Sequence, residues 1–215
     1  MQRLAIAGMA VGLAACAPTL RDLPASPDFV VERAAERSVE RLPEEPLFWR
    51  VETFADLSAA QAAAGPMSLA ADVSGRSWLF TLGAQGERTG GAAFVSEIGP
   101  VPRFEAARYT LRVNHAHAPP GAATSVHTHS GSEAFHVLGG QLTQRTAHGA
   151  TRVGAGESMN GHAPGMVMQL VSTGSEELDQ IVLFVVDADQ PFSSPASFRM
   201  KARSNHARDS TPPEP

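Results

Sequence analysis

Gly121-Ala122-Ala123-Thr124-Ser125-Val126-His127-Thr128-His129-Ser130-Gly131-Ser132-Glu133-Ala134-Phe135-His136-Val137-Leu138-Gly139-Gly140 is the stretch on which the reading of this chain turns. His127 and His129 are separated by one residue. On a strand, residues two apart point to the same side, so both imidazoles can converge on one ion. Glu133 follows across Ser130-Gly131-Ser132, which reads as a tight turn, so strand parity cannot be carried through to it. A His-x-His pair alone is a weak signal, and a second one occurs at His115/His117, just before Pro119-Pro120, where it reads as a surface strand end.

The flanking sequence is strand-like. Arg108 to Asn114 alternates, with Tyr109, Leu111 and Val113 on one face and Arg108, Thr110 and Arg112 on the other. Further strands are expected at Ser77–Leu82, Ala92–Val95, Ala134–Leu138 and Met166–Val171. Ile181-Val182-Leu183-Phe184-Val185-Val186 has no polar alternation and reads as a strand buried on both faces. Short strands between Gly-rich turns, in a chain with 19 Gly and 16 Pro, suit a closed or sandwiched antiparallel fold such as a jelly roll.

The spacing Gly121, five residues, His127, one, His129, three, Glu133, six, Gly140 matches the first motif of the cupin superfamily at every fixed position. The sequence therefore resembles a cupin over about Tyr109 to Pro191. The resemblance implies a mainly β fold, a double-stranded β-helix (cupin jelly-roll) barrel, here with short N-terminal helices. In metal-binding cupins the residues matching His127, His129 and Glu133 are ligands, and a second motif supplies a fourth ligand, a His. That second motif is degraded here. Gly156-Glu157 resembles its start, and Gly165 with Met168 fits its G-x-x-H with Met in place of His; a shifted alignment puts Val167 there. His162 has the wrong spacing, and the motif's final Asn is missing.

Two His and one carboxylate still form a facial triad, sufficient for one divalent transition metal: Fe, Mn, Ni, Zn or Cu. Met168 is either a soft fourth ligand, which suits copper, or barrel lining beside Met166 and Leu170. The expected cavity residues are Phe135, Met166, Met168 and Leu170. His136, out of parity with Glu133, is expected to face away from them. A metal-dependent cupin enzyme of dioxygenase, isomerase or decarboxylase type is one reading, with a small organic substrate in the barrel. The alternative is a metal-free small-molecule-binding or structural module without catalysis. No G-x-S-x-G elbow and no P-loop is present.

Outward from the barrel, Met1-Gln2-Arg3 followed by an apolar run from Leu4 to Leu13 has the pattern of a secretory signal, and the run is shorter than the about 20 residues a bilayer span needs. It ends in Leu13-Ala14-Ala15-Cys16, which resembles a bacterial lipobox, and Cys16 is the only cysteine in 215 residues. The reading is a signal peptide over 1–15, lipidation at Cys16, a tether over 16–27, a helical arm with accessory strands over 28–108, the barrel over 109–191 and an extension over 192–215, disordered from about 201. Within the arm, helices are expected from Asp28 to about Leu42 and from Ala55 to Ala64. Ala17 after the cysteine resembles lipoproteins of the outer membrane, so the expected location is the cell envelope, on the periplasmic side of that membrane if the source is Gram-negative. The net charge of −5 without any Lys/Arg run argues against a nucleic-acid partner. The resemblance also implies a homodimer paired through strand edges.

Overall fold

Ile181 to Val186 lacks polar alternation because its strand is covered on both sides. The computed structural model describes residues 20–198. In chain order its elements are β1 (Val30–Val39), β2 (Phe48–Phe54), α1 (Leu57–Ala63), β3 (Ser68–Val73), β4 (Arg76–Gly83), β5 (Ala93–Ile98), β6 (Tyr109–Ala118) and β7 (His127–His129). There follow β8 (Gly131–Gly139), β9 (Gln141–Thr146), β10 (Gly149–Gly154), β11 (Ser158–Asn160), β12 (Met168–Ser172), β13 (Leu178–Asp187) and β14 (Ser193–Pro195).

Two five-stranded antiparallel sheets, ordered β1-β6-β13-β8-β11 and β10-β9-β12-β7-β14, form the barrel. From β6 to β9 and again from β11 to β14 the chain steps from one sheet to the other at every connection, with the β9–β10 hairpin between. That alternation defines a double-stranded β-helix, and the fold is mainly β. The space between the sheets is filled by Ala116, Phe135, Val137, Leu142, Val182 and Phe184. A third sheet, ordered β3-β4-β2-β5, lies outside the first. Its Trp49, Val51, Trp78 and Phe80 pack against Leu111, Val113, Ile181, Leu183 and Val185 in one continuous core. Alternate residues of β13 therefore belong to two different cores, which is why the segment carries no polar face. The apolar face of β6 turns to the accessory sheet, so the barrel interior receives the other parity, with Asn114 and Ala116.

Two expectations for the N-terminal third are corrected. The segment expected to be helical from Asp28 to Leu42 is the edge strand β1, paired with β6 from Val30↔His117 to Val39↔Tyr109 with a bulge between Arg33 and Ala35. Its Glu32, Arg33, Glu36 and Arg37 are exposed on this edge strand. The exposed backbone groups of β6 offer a ladder along most of its length, and satisfying them outweighs local helix propensity. Among the described residues a single α-helix remains, α1, inside the span expected at 55–64. Asp56 caps it, its carboxylate accepting from the Ala59 amide at 2.8 Å. The stretch read as a tether is, from residue 20 onward, fixed to the barrel. Gln169 receives the Leu23 amide at 3.1 Å and donates to the Leu23 carbonyl at 2.8 Å, while Ser26 and Ala123 exchange two hydrogen bonds. Cys16, the signal segment and the tail beyond 198 lie outside the described residues.

Candidate functional site

His127 and His129 come from β7 in the second barrel sheet, and Glu133 comes from β8 in the first. Ser130 is the corner at which the chain changes sheets. The histidines and the carboxylate thus approach from opposite sheets across the barrel and not by parity along one strand. His129 Nε2 lies 3.9 Å from Glu133 Oε2, and the two imidazole centroids are 4.9 Å apart at 81°. The His129 ring is held between Phe184 and Phe192 at 4.9 and 4.8 Å. Both Nδ1 atoms are committed to backbone carbonyls, that of His127 to Ser125 at 2.8 Å and that of His129 to Phe192 at 2.9 Å. A carbonyl can only accept, so each Nδ1 carries the proton and each Nε2 keeps a free lone pair.

Glu133 is 2% exposed. Its Oε1 accepts from Gln144 Nε2 at 2.7 Å, whereas its Oε2 is buried without a hydrogen-bond partner. Burial pushes the carboxyl up to about 8, and the Gln144 hydrogen bond opposes this only in part. Burial also pushes His129 down to about 4 and lowers His127. Without a cation the cluster is therefore largely neutral near pH 7. The donor set fits a divalent transition ion: two imidazoles with free Nε2 lone pairs, and a carboxyl with one orphaned oxygen. Among the described residues no three His, Cys, Asp or Glu side chains stand close enough to hold an ion as they are placed. His129 and Glu133 are the near pair.

The three residues open onto a cavity of about 290 Å³. Its walls are largely apolar, with Phe29, Val31, Leu170, Val182, Phe184 and Phe192, and Asn114 supplies an amide. Of the residues expected to line it, only Leu170 does so. Phe135 is fully buried in the barrel core, and Met168, at 2% exposure, is buried opposite His127 and Thr146 in the strand register. Met166 precedes β12 and so has no place in its inward-facing row. The Met168 sulfur accepts from Gln144 Nε2 at 3.5 Å. His136 faces the accessory sheet, 6.2 Å from Trp78 and hydrogen-bonded to Ser158 at 2.9 Å. His115 and His117 pair with Asp179 and Glu177 away from the cavity. His162 is not on its wall.

Sequence reading missed Gln144, Arg112 and the N-terminal wall. Gln144 shares the inward parity of Leu142 on β9, and a lone amide in an inward row was the available signal. Arg112 lies 4.0 Å over the Phe192 ring and donates to Asn114 Oδ1 at 2.8 Å, which places a cation near His129. Gln144→Leu is expected to leave both Glu133 oxygens unpartnered and to weaken divalent-metal binding about 10- to 100-fold, read by titration calorimetry.

No protein-family model matches the chain, and no curated protein matches it by sequence. Solved structures similar to it are double-stranded β-helix and cupin proteins. One, a conserved protein with a double-stranded β-helix domain from Klebsiella pneumoniae, is 24% identical over 40% of this chain and 70% of its own, with a TM-score of 0.35. The lyase DddQ from Ruegeria pomeroyi, which acts on DMSP, is 21% identical over 40% of this chain and 42% of its own, with a TM-score of 0.35. A cupin-like protein from Thermotoga maritima is 20% identical over 40% and 65%, with a TM-score of 0.37. At these scores the fold is read from the strand order of the two sheets.

Proposed function

We propose that this chain is a cupin-type barrel that binds one divalent transition metal through His127, His129 and Glu133 and holds a small, largely apolar organic ligand in the adjoining cavity. The observation that carries the reading is Glu133 Oε2, a buried acceptor with no partner, facing imidazoles whose Nδ1 atoms are already committed. A bound ion would supply Lewis-acid polarisation of a ligand oxygen. The chain's own residues prepare the place. Gln144 fixes one carboxylate oxygen, Phe184 and Phe192 flank the His129 ring, and Asn114, whose Oδ1 accepts from Arg112, offers its Nδ2 donor to a polar group on the ligand. The motif ending at Cys16 supports a lipid-anchored protein of the bacterial envelope.

A second reading, a metal-free binding module, is favoured by the absence of a closed three-donor cluster among the described residues and by Met168 standing across from His127. Thermal melts with added Fe(II), Mn, Ni, Zn or Cu decide between the two. Metal at 100 times its Kd is expected to stabilise the protein by about 2.7 kcal/mol. That gain should vanish in His129→Ala and Glu133→Ala. Unchanged melting with all five ions leaves the metal-free module standing.

A further inference from the structure

The wall that closes one side of the cavity is the N-terminal stretch itself. Arg145 donates to the Arg21 carbonyl at 2.8 Å, Gln169 clasps Leu23 from both sides, and Ser26 is tied to Ala123. Ala25, Ser26 and Phe29 then line the cavity, and Val31 of β1 continues the rim. Three large apolar side chains stand exposed among the described residues: Leu23 at 40%, Val31 at 50% and Phe94 at 44%. Phe94, on the accessory sheet, lies under the Arg88 guanidinium at 3.8 Å. Leu23 and Val31, two of these three, both belong to the N-terminal stretch, and Val31 stands at the mouth of the cavity.

The direction in which this stretch leads identifies the partner. Between Cys16 and the first described residue, Leu20, the chain advances four residues, at most about 14 Å when fully extended. An acyl group on Cys16 would thus hold the clasped segment within one short span of the lipid surface. We propose that Leu23 and Val31 rest on the bilayer, so that the mouth of the cavity faces lipid. This rests on the lipid-anchor reading of Cys16.

The test uses the full chain, produced with its signal and purified from membranes. Cys16 is the sole cysteine, and acylation would occupy its sulfur, so Leu23→Cys, Val31→Cys and Phe94→Cys each add one labelling site. Each is coupled to an NBD fluorophore and placed in phosphatidylethanolamine/phosphatidylglycerol vesicles carrying nitroxide on the acyl chains. Labels at 23 and 31 are expected to lose emission about twofold or more, because rim residues sit within reach of the acyl boundary, while the label at 94 stays unchanged. Acylated protein whose labels at 23 and 31 behave like that at 94 overturns the orientation alone. A mass spectrum showing no acyl group on Cys16 overturns the anchor reading and the orientation with it.

Discussion

Gly131→Ala is expected to cost about 3 kcal/mol or more, at the upper end of overpacking penalties, and to lower the melting temperature by about 10 °C. A β-carbon at Gly131 would lie 1.9 Å from the Val185 carbonyl oxygen and 2.4 Å from Val186 Cα. These are backbone atoms of β13, which is hydrogen-bonded to β6 on one side and β8 on the other and cannot step aside. The chain changes sheets at Ser130, and only a residue without a side chain lets β8 begin pairing directly after that corner. Glu133 follows two residues later, so the substitution should also displace the carboxylate and weaken metal binding beyond what the lost stability explains. Urea and thermal melts of the variant give the first effect, and metal titration below its melting temperature gives the second. A melting temperature within about 2 °C of the parent, less than 1 kcal/mol is expected to produce, would contradict so close an approach of the two strands.

The affinity for divalent metal is expected to rise about tenfold per pH unit between roughly pH 5 and 8, with close to one proton released per ion. The reason is the Glu133 carboxyl, raised by burial to about 8, which must ionise before it can ligate. His129, lowered to about 4, is already neutral over this range and adds no proton. The same shifts set the stability of the metal-free protein. A carboxyl whose folded value is raised stabilises fully below its unfolded value of 4.5, and that contribution is lost as pH climbs toward 8. A histidine whose folded value is lowered stabilises fully above 6.5, and its contribution is lost as pH falls toward 4. The Glu133 and His129 slopes offset each other between about pH 4.5 and 6.5, while the lowered His127, His136 and His162 add a rise with pH below 6.5, so the metal-free protein should be most stable near the upper end of that window. Above this window it should lose about 1.4 kcal/mol per pH unit up to pH 8. Glu133→Gln should remove the alkaline loss and abolish metal binding together. Calorimetry in buffers of different ionisation enthalpy counts the proton, and urea melts from pH 4 to 9 trace the stability. An affinity that does not vary with pH would refute the role given to this carboxyl.

Much of the barrel was legible because its residues answer to local rules. The run from Ile181 to Val186 read as a strand covered twice, and the alanine-rich run over 55–64 as a short helix. The frame from Gly121 to Gly140 carried the three candidate ligands without showing that they belong to two sheets. What stayed hidden depends on partners far along the chain. β1 is a strand because β6, some eighty residues later, offers it a ladder. Gln144 matters because Glu133, on another strand, is buried beside it. The polar, proline-bearing stretch before β1 has no secondary structure of its own to betray it. It is ordered by Arg145, Gln169 and Ala123, and nothing in its own composition names them.

The open side of β1 has one more consequence. It displays Glu32, Arg33, Glu36 and Arg37 exposed to solvent, and its ladder is broken by a bulge at Ala34. A strand from another molecule laid along it would have to strip water from four charges and follow a kink that flat strands do not share. The molecule thereby guards this ten-residue flank against the open-ended stacking of strand on strand that ends in fibrils.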